Sequence, residues 1–304
     1  MKSDNWYILG AGSMGCLWAA SLCHKGEAPR LILRDSNYQQ LKESHAPLKL
    51  TTAGQSFQYH VDVVSPETLN APINRLIVCT KAQNALEAIN SIKSHLTESG
   101  QILLLQNGMG SQQAINEAFP TQSVWAGSST DGAYLAAPFE VCHAGQGETW
   151  IGPMTDNSVS VDRFNDLLSN FRLKVSPCDT IEQKLWEKLA INCCINGLTA
   201  LFNCRNGELL DNGEKQAWLD LLMAETCSVL TALDIHTPSL KERVYGVCQA
   251  TANNISSTCQ DARQGRATEL PFINGFLINK AENLSIPVNS HKQLMDQLRA
   301  SGIN

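Results

Sequence analysis

The chain lacks an apolar run long enough to cross a bilayer. An uncharged, largely apolar stretch in the second half, Leu189 to Cys204, carries Asn192, Asn196 and Asn203 and falls short of the ~20 apolar residues a spanning helix needs. At the start, Met1-Lys2-Ser3-Asp4-Asn5 leads straight into Trp6-Tyr7-Ile8-Leu9. No apolar leader with a small-residue cleavage site is seen there, so no signal peptide is expected, and the cytoplasm is the expected compartment. Basic charge is not in excess: 23 Lys and Arg against 29 Asp and Glu leave a net charge of −6. That balance speaks against a nucleic-acid partner held by phosphate contacts, but leaves room for a small anion in a local positive pocket. None of the eleven cysteines forms a Cys-x-x-Cys pair and none of the seven histidines a His-x-x-x-His pair. Neither a disulfide framework nor a metal site is therefore expected, and the cysteines read as reduced, mostly buried thiols. Charged residues are sparse at 17%, while hydrophobic residues reach 43%. That is enough apolar material for sizeable cores in about two domains.

What is present in the first half is an alternation of apolar runs and helix-like stretches. Trp6–Leu9, Leu31–Leu33, Leu76–Cys79 and Ile102–Leu105 read as strands, with helices over Cys16–Lys25, closed by Gly26, and over Ala82–Leu96. Continuous apolar strands alternating with helices predict a parallel sheet covered on both faces. Leu48–Val63, with Ala53-Gly54 in its middle, reads as a hairpin inserted at the edge of that sheet. Val141–Ile151 reads as a second hairpin, turning at Gly145-Gln146-Gly147.

Between the first strand and the first helix stands Gly10-Ala11-Gly12-Ser13-Met14-Gly15. This is the spacing of a dinucleotide-binding turn. Gly10 allows the tight bend, Gly12 admits the pyrophosphate, and Gly15 lets helix and strand pack closely, with helix N–H groups facing the phosphates. Arg34-Asp35 ends the second strand. An arginine there suits the 2′-phosphate of NADP and an acid the 2′-hydroxyl of NAD. The chain offers both, and the order favours NADP, with a solvated surface pair as the bland alternative. Thr80-Lys81 and Gln106-Asn107-Gly108-Met109-Gly110 close two further strands. Ligands of open α/β sheets bind at such carboxyl ends, although a solvated lysine or a simple Asn-Gly turn would look the same.

From Asp179 the pattern changes to long helical periods. Lys188, Asn192 and Asn196 stand at i, i+4 and i+8, so they line one face of an otherwise apolar helix. Such a stripe fits a wet site, or alternatively a snorkelling lysine beside two structural asparagines. Asn253-Asn254-Ile255-Ser256-Ser257 is a polar cluster in a helical run, which would place Asn254 and Ser257 on one face. Arg263–Arg266 reads as a loop, and Thr268-Glu269-Leu270-Pro271 opens a last helix pair, with Glu269 and Asn274 able to face the site.

Taken together, these blocks resemble the ketopantoate reductase (2-dehydropantoate 2-reductase) family along nearly the whole chain. The resemblance rests on Gly10–Gly15, Thr80-Lys81-Ala82, Gln106–Gly110, Leu185–Asn192, Asn196–Ala200, Asn203–Glu208, Asn253–Ser257 and Thr268–Gly275. It implies an α/β protein: an N-terminal Rossmann-type NADP-binding domain over residues 1–177 and an all-helical substrate and catalytic domain over 178–304. It implies NADPH-dependent reduction of 2-dehydropantoate to (R)-pantoate, in pantothenate and coenzyme A synthesis, by a monomer or homodimer whose partner is a small 2-oxo acid. Another 2-oxo acid is the alternative substrate. A non-enzymatic NADPH sensor is the alternative of a different class, and the joint presence of Lys188 and Glu269 argues against it. By the resemblance Lys188 is the general acid, and Glu269 assists binding and catalysis. Gly10, Gly12, Ser13, Met14, Gly15, Arg34, Lys81, Asn107, Asn254 and Glu269 fall at cofactor positions. Asn107, Lys188, Asn192, Asn196, Asn206 and Ser257 fall at substrate positions. Gly197 stands where some members carry proline, which predicts a looser helix there.

Overall fold

The computed structural model describes residues 6–34, 38–39, 46–154, 172–211, 213–237 and 239–304. The chain divides into two compact units: Met1–Gln106 with Ser111–Ile181, and Asn107–Gly110 with Glu182–Asn304. Among the described residues no helix is long and apolar enough to cross a membrane.

The first unit is α/β. Its main sheet contains β1 (Trp6–Leu9), β2 (Arg30–Ile32), β5 (Asp62–Val64), β6 (Ile73–Val78), β7 (Leu96–Leu104), β8 (Ser123–Ser129), β11 (Thr149–Pro153) and β12 (Val175–Pro177). Their order is β12-β11-β8-β7-β6-β1-β2-β5. The run from β8 to β5 is parallel, and β11 pairs antiparallel with β8. Helix α1 (Ser13–Lys25) belongs to the core on one face, through Leu17 and Trp18. Helices α2 (Ala82–Asn90) and α3 (Ser111–Ala118) supply Ala85, Ile89 and Ile115 to the core on the other. The two cores explain why Trp6–Leu9, Leu76–Val78 and Ile102–Leu104 read as unbroken apolar runs.

A second sheet holds β3 (Leu48–Thr52), β4 (Gln55–Tyr59), β9 (Gly132–Ala137) and β10 (Glu140–Gly145), in the order β4-β3-β10-β9. This corrects the two expected hairpins. Leu48–Tyr59 does turn at Ala53-Gly54, but its strands lie in the second sheet, and β5 forms the edge of the main one. The alternating burial of β3 shows why: only one face is covered, by the α1-side core through Leu48 and Leu50. Val141–Ile151 is not a hairpin, because β10 pairs with β9 and β11 with β8, and the chain changes sheets in between. The crossing is pinned at Asp131, whose Oδ1 accepts from Gly147 N–H at 3.0 Å and lies 2.9 Å from His143 Nε2. Helix α2 is also shorter than expected. It stops at Asn90, where Ser91 Oγ donates to the Ala88 carbonyl at 2.7 Å, and Leu96 already belongs to β7.

The second unit is helical: α4 (Ile181–Leu201), α5 (Gly213–Ala232), α6 (Leu240–Ala250), α7 (Ser257–Arg263), α8 (Asn274–Asn283) and α9 (Asn289–Ala300). Helix α4 runs unbroken through Gly197. A Cβ at Gly197 would lie 2.8 Å from Leu294 Cδ2, so glycine here lets α9 pack against α4. The polar cluster before α7 is not one helical run. Ser256 Oγ caps α7 by accepting from Cys259 N–H at 3.0 Å, which puts Asn254 outside the helix that Ser257 begins.

Candidate active site

In the first unit the glycine turn follows β1 directly. Gly10 has φ +102°, and a Cβ at Gly15 would lie 1.9 Å from the Gly10 carbonyl oxygen. Gly15 is thus demanded by the approach of α1 to the end of β1. Gly12 is different: a Cβ there would meet nothing within 4 Å, so no protein atom explains that glycine. Helix α1 begins without a side-chain cap and without an acid in its first turn, and Cys16 N–H makes its first helical bond, to the Gly12 carbonyl. The N–H groups of Ser13, Met14 and Gly15 are left at a positive helix end. Open space above Gly12 and uncapped donors behind it fit the pyrophosphate of a dinucleotide.

Arg34 is exposed just past β2, and its carbonyl accepts from Tyr38 N–H at 2.9 Å. Asp35 lies outside the described residues. Lys81, half-buried and extended, precedes α2. Beside it the structure adds Thr80 and Gln106, which sequence reasoning had treated only as strand ends. Gln106 is buried, and its Nε2 donates to the Val78 and Thr80 carbonyls at 2.8 and 3.2 Å. Gln106 Oε1 and Thr80 Oγ1 remain buried without a hydrogen-bond partner. The signal available in the sequence was a polar residue closing an apolar run.

In the second unit Lys188 and Asn192 are half-buried on α4, and Asn196, one turn on, is 8% exposed. Among the described residues, neither Asn192 nor Asn196 commits its side-chain amide to a hydrogen bond. A buried amide is ordinarily paired, so the Asn196 amide is the one that calls for a ligand, with half-buried Asn192 one turn before it. Asn206, also buried, is partly committed: its Nδ2 donates to Thr251 Oγ1 at 2.8 Å and its N–H to the Asn254 carbonyl at 3.0 Å, while its Oδ1 is buried without a hydrogen-bond partner. It fixes the backbone of Asn254, which is exposed, as is Ser257. Asn274, expected to face the site, does not. It is fully buried, with its Nδ2 donating to the Cys193 carbonyl at 2.8 Å and lying 3.1 Å from His291 Nδ1. It ties α8 to α4 and α9.

Glu269 is half-buried, immediately before a short 3-10 turn, Leu270–Phe272. Asn107 Nδ2 donates to its Oε2 at 3.1 Å, joining two predicted residues that lie far apart in the chain. Met109 N–H donates to the Phe272 carbonyl at 2.8 Å. An open cavity of about 540 Å³ lies alongside, lined among others by Met109, Gly110, Phe272, Phe276 and Arg299. None of the predicted site residues lines it.

The family models for "Ketopantoate reductase PanE/ApbA" and its C-terminal part match residues 6–156 and 180–302. The 2-dehydropantoate 2-reductase of Vibrio cholerae is 33% identical over 94% of this chain and 94% of its own length. A PanE/ApbA family ketopantoate reductase from Ralstonia eutropha superposes with a TM-score of 0.88 at 26% identity, covering 98% of both chains. A D-mandelate dehydrogenase solved with NADH and anilino(oxo)acetate reaches a TM-score of 0.89 at 22% identity, covering 98% of both chains, a likeness of fold. With a Rossmann-type turn, a helical second unit and these relatives, the chain belongs to the ketopantoate reductase family of NADP-dependent oxidoreductases acting on a CH–OH group.

Proposed function

We propose that this protein reduces 2-dehydropantoate to (R)-pantoate with NADPH, a cytoplasmic step of pantothenate synthesis. The observation that carries the reading is the stripe on α4: a lysine followed by two amides with no partner of their own among the described residues. Residues 1–177 hold the cofactor and residues 178–304 the substrate. Gly10, Gly12, Ser13, Met14 and Gly15 cradle the pyrophosphate. Arg34 pairs with the 2′-phosphate, and Lys81, Asn107 and Asn254 complete the cofactor site.

Bound NADPH supplies the hydride. Lys188, as an ammonium, stabilises the negative charge developing on the keto oxygen and delivers a proton to that atom. Asn192, Asn196 and Ser257 orient the substrate by hydrogen bonds without adding charge, and Asn206 holds the segment that carries Asn254. Glu269 accepts from the substrate's terminal hydroxyl, which a carboxylate does and an amide donor does not. A site built around that hydroxyl discriminates against an acid lacking it, because its own buried groups are then left unpaired.

The test is NADPH consumption, followed by absorbance, with a panel of 2-oxo acids. 2-Dehydropantoate is expected to give the highest kcat/KM, well above 2-oxoisovalerate. A different acid ranking first would reassign the substrate.

A further inference from the structure

Residues 107–110 leave β7 and pack with the helical unit. Asn107 supplies a donor to Glu269, yet an asparagine on a free loop would not hold a carboxylate in one place. The backbone beside it does. Gly108 sits at φ +81°, and a Cβ on it would lie 2.3 Å from the Phe272 carbonyl oxygen and 2.7 Å from the carbonyl carbon. No side chain fits there, since the obstruction is backbone. That approach lets Met109 N–H reach the Phe272 carbonyl at 2.8 Å. Met109, Gly110 and Phe272 also line the open cavity, so the packing of side chains does not fill the space beside the segment. Glu269 lies at the other end of the same turn, with its carbonyl accepting from Phe272 N–H at 2.9 Å.

We infer that Gly108 is a positioning residue: by docking the Asn107–Gly110 backbone on Phe272, it sets the Asn107–Glu269 hydrogen bond and so aims Glu269 at the substrate hydroxyl. The inference rests on the role proposed above for Glu269. Misplacing a reacting or binding group by about 1 Å costs on the order of 10²-fold.

The readout is the ratio of kcat/KM for 2-dehydropantoate to that for 2-oxoisovalerate, in which any loss through the cofactor cancels. Gly108→Ala should lower this ratio about 10- to 10²-fold, as Glu269→Ala does. The double variant should lower it no further than Glu269→Ala alone, within about twofold. If Gly108→Ala is insoluble, Asn107→Ala removes the donor without adding an atom, and it should lower the ratio in the same way. A ratio unchanged within about twofold, or effects that multiply in the double variant, would overturn the positioning role while leaving Glu269 in place. A ratio unchanged by Glu269→Ala itself would remove the reading of Glu269, and the positioning role with it.

Discussion

The glycine turn after β1 and the Asn107–Glu269 pair are built by opposite means. The turn is local: six consecutive residues, the last of which, Gly15, would meet the Gly10 carbonyl oxygen at 1.9 Å if given a side chain. The pair joins residues 162 positions apart through a hydrogen bond and a backbone contact with Phe272. A local device can be read from spacing, because the sequence needed to build it is all in one place. A device assembled across the chain is invisible to spacing, and its parts look like ordinary turns until they meet.

Breaking the substrate side at its acid should have the largest effect. Lys188→Ala is expected to lower kcat by about 10²–10⁴ and to leave NADPH affinity nearly unchanged, as fluorescence titration of the cofactor would show. A kcat close to wild type would remove Lys188 from the chemistry.

Acid should separate the two units. Each contains a buried histidine, but with different company. His143 lies 2.9 Å from Asp131. Burial pushes the Asp131 carboxyl up, yet hydrogen bonds from His143, Gly147 N–H and Ser129 outweigh it and hold it below its ordinary value. His291 has neutral ring partners: Thr226 Oγ1 at 3.0 Å, the Leu222 carbonyl at 3.2 Å and Asn274. Burial pushes its ring down to about 4, against weaker opposing pulls from Glu225 and the Leu222 carbonyl. The unfolded chain therefore binds a proton that folded His291 refuses. The stabilisation is complete above pH ~6.5 and disappears as pH falls to about 4, a loss of about 3 kcal/mol. Hydrogen exchange at pH 5 should show protection falling in α4, α5 and α9 before the strands of the first unit. Simultaneous loss in both would mean that His291 does not limit the helical unit.

The smallest expected effect tests the cofactor side. Arg34→Ala should raise KM for NADPH about tenfold, the scale of a charge-assisted hydrogen bond at an exposed site, and leave KM for NADH nearly as it was. Equal changes for both nucleotides would show that Arg34 does not read the phosphate.

Much of the α/β unit was legible because β1 and the Leu76–Val78 end of β6 are apolar on both faces and helix α1 ends on Gly26, which takes φ +92°. The second sheet was not, because partners such as β3 and β10 are chosen by which face the α1-side core covers, a tertiary fact. On the site, Lys188, Asn192 and Asn196 were readable as a stripe because helix periodicity alone aligns them. Asn274 misled for the converse reason: a buried amide bonding Cys193 and an amide facing a ligand have the same spacing. Thr80 and Gln106 escaped because their significance lies in unpaired buried oxygens, which only packing reveals.

The excursion of residues 107–110 has a consequence for the order of synthesis. On the ribosome Met109 emerges long before Phe272, so its N–H must wait for an acceptor much later in the chain. Until then Gly108 has no partner backbone to demand its conformation, and Glu269 has not yet been made. The first unit can build its strands while it emerges, but the residues that aim the carboxylate come together only after Phe272 has followed.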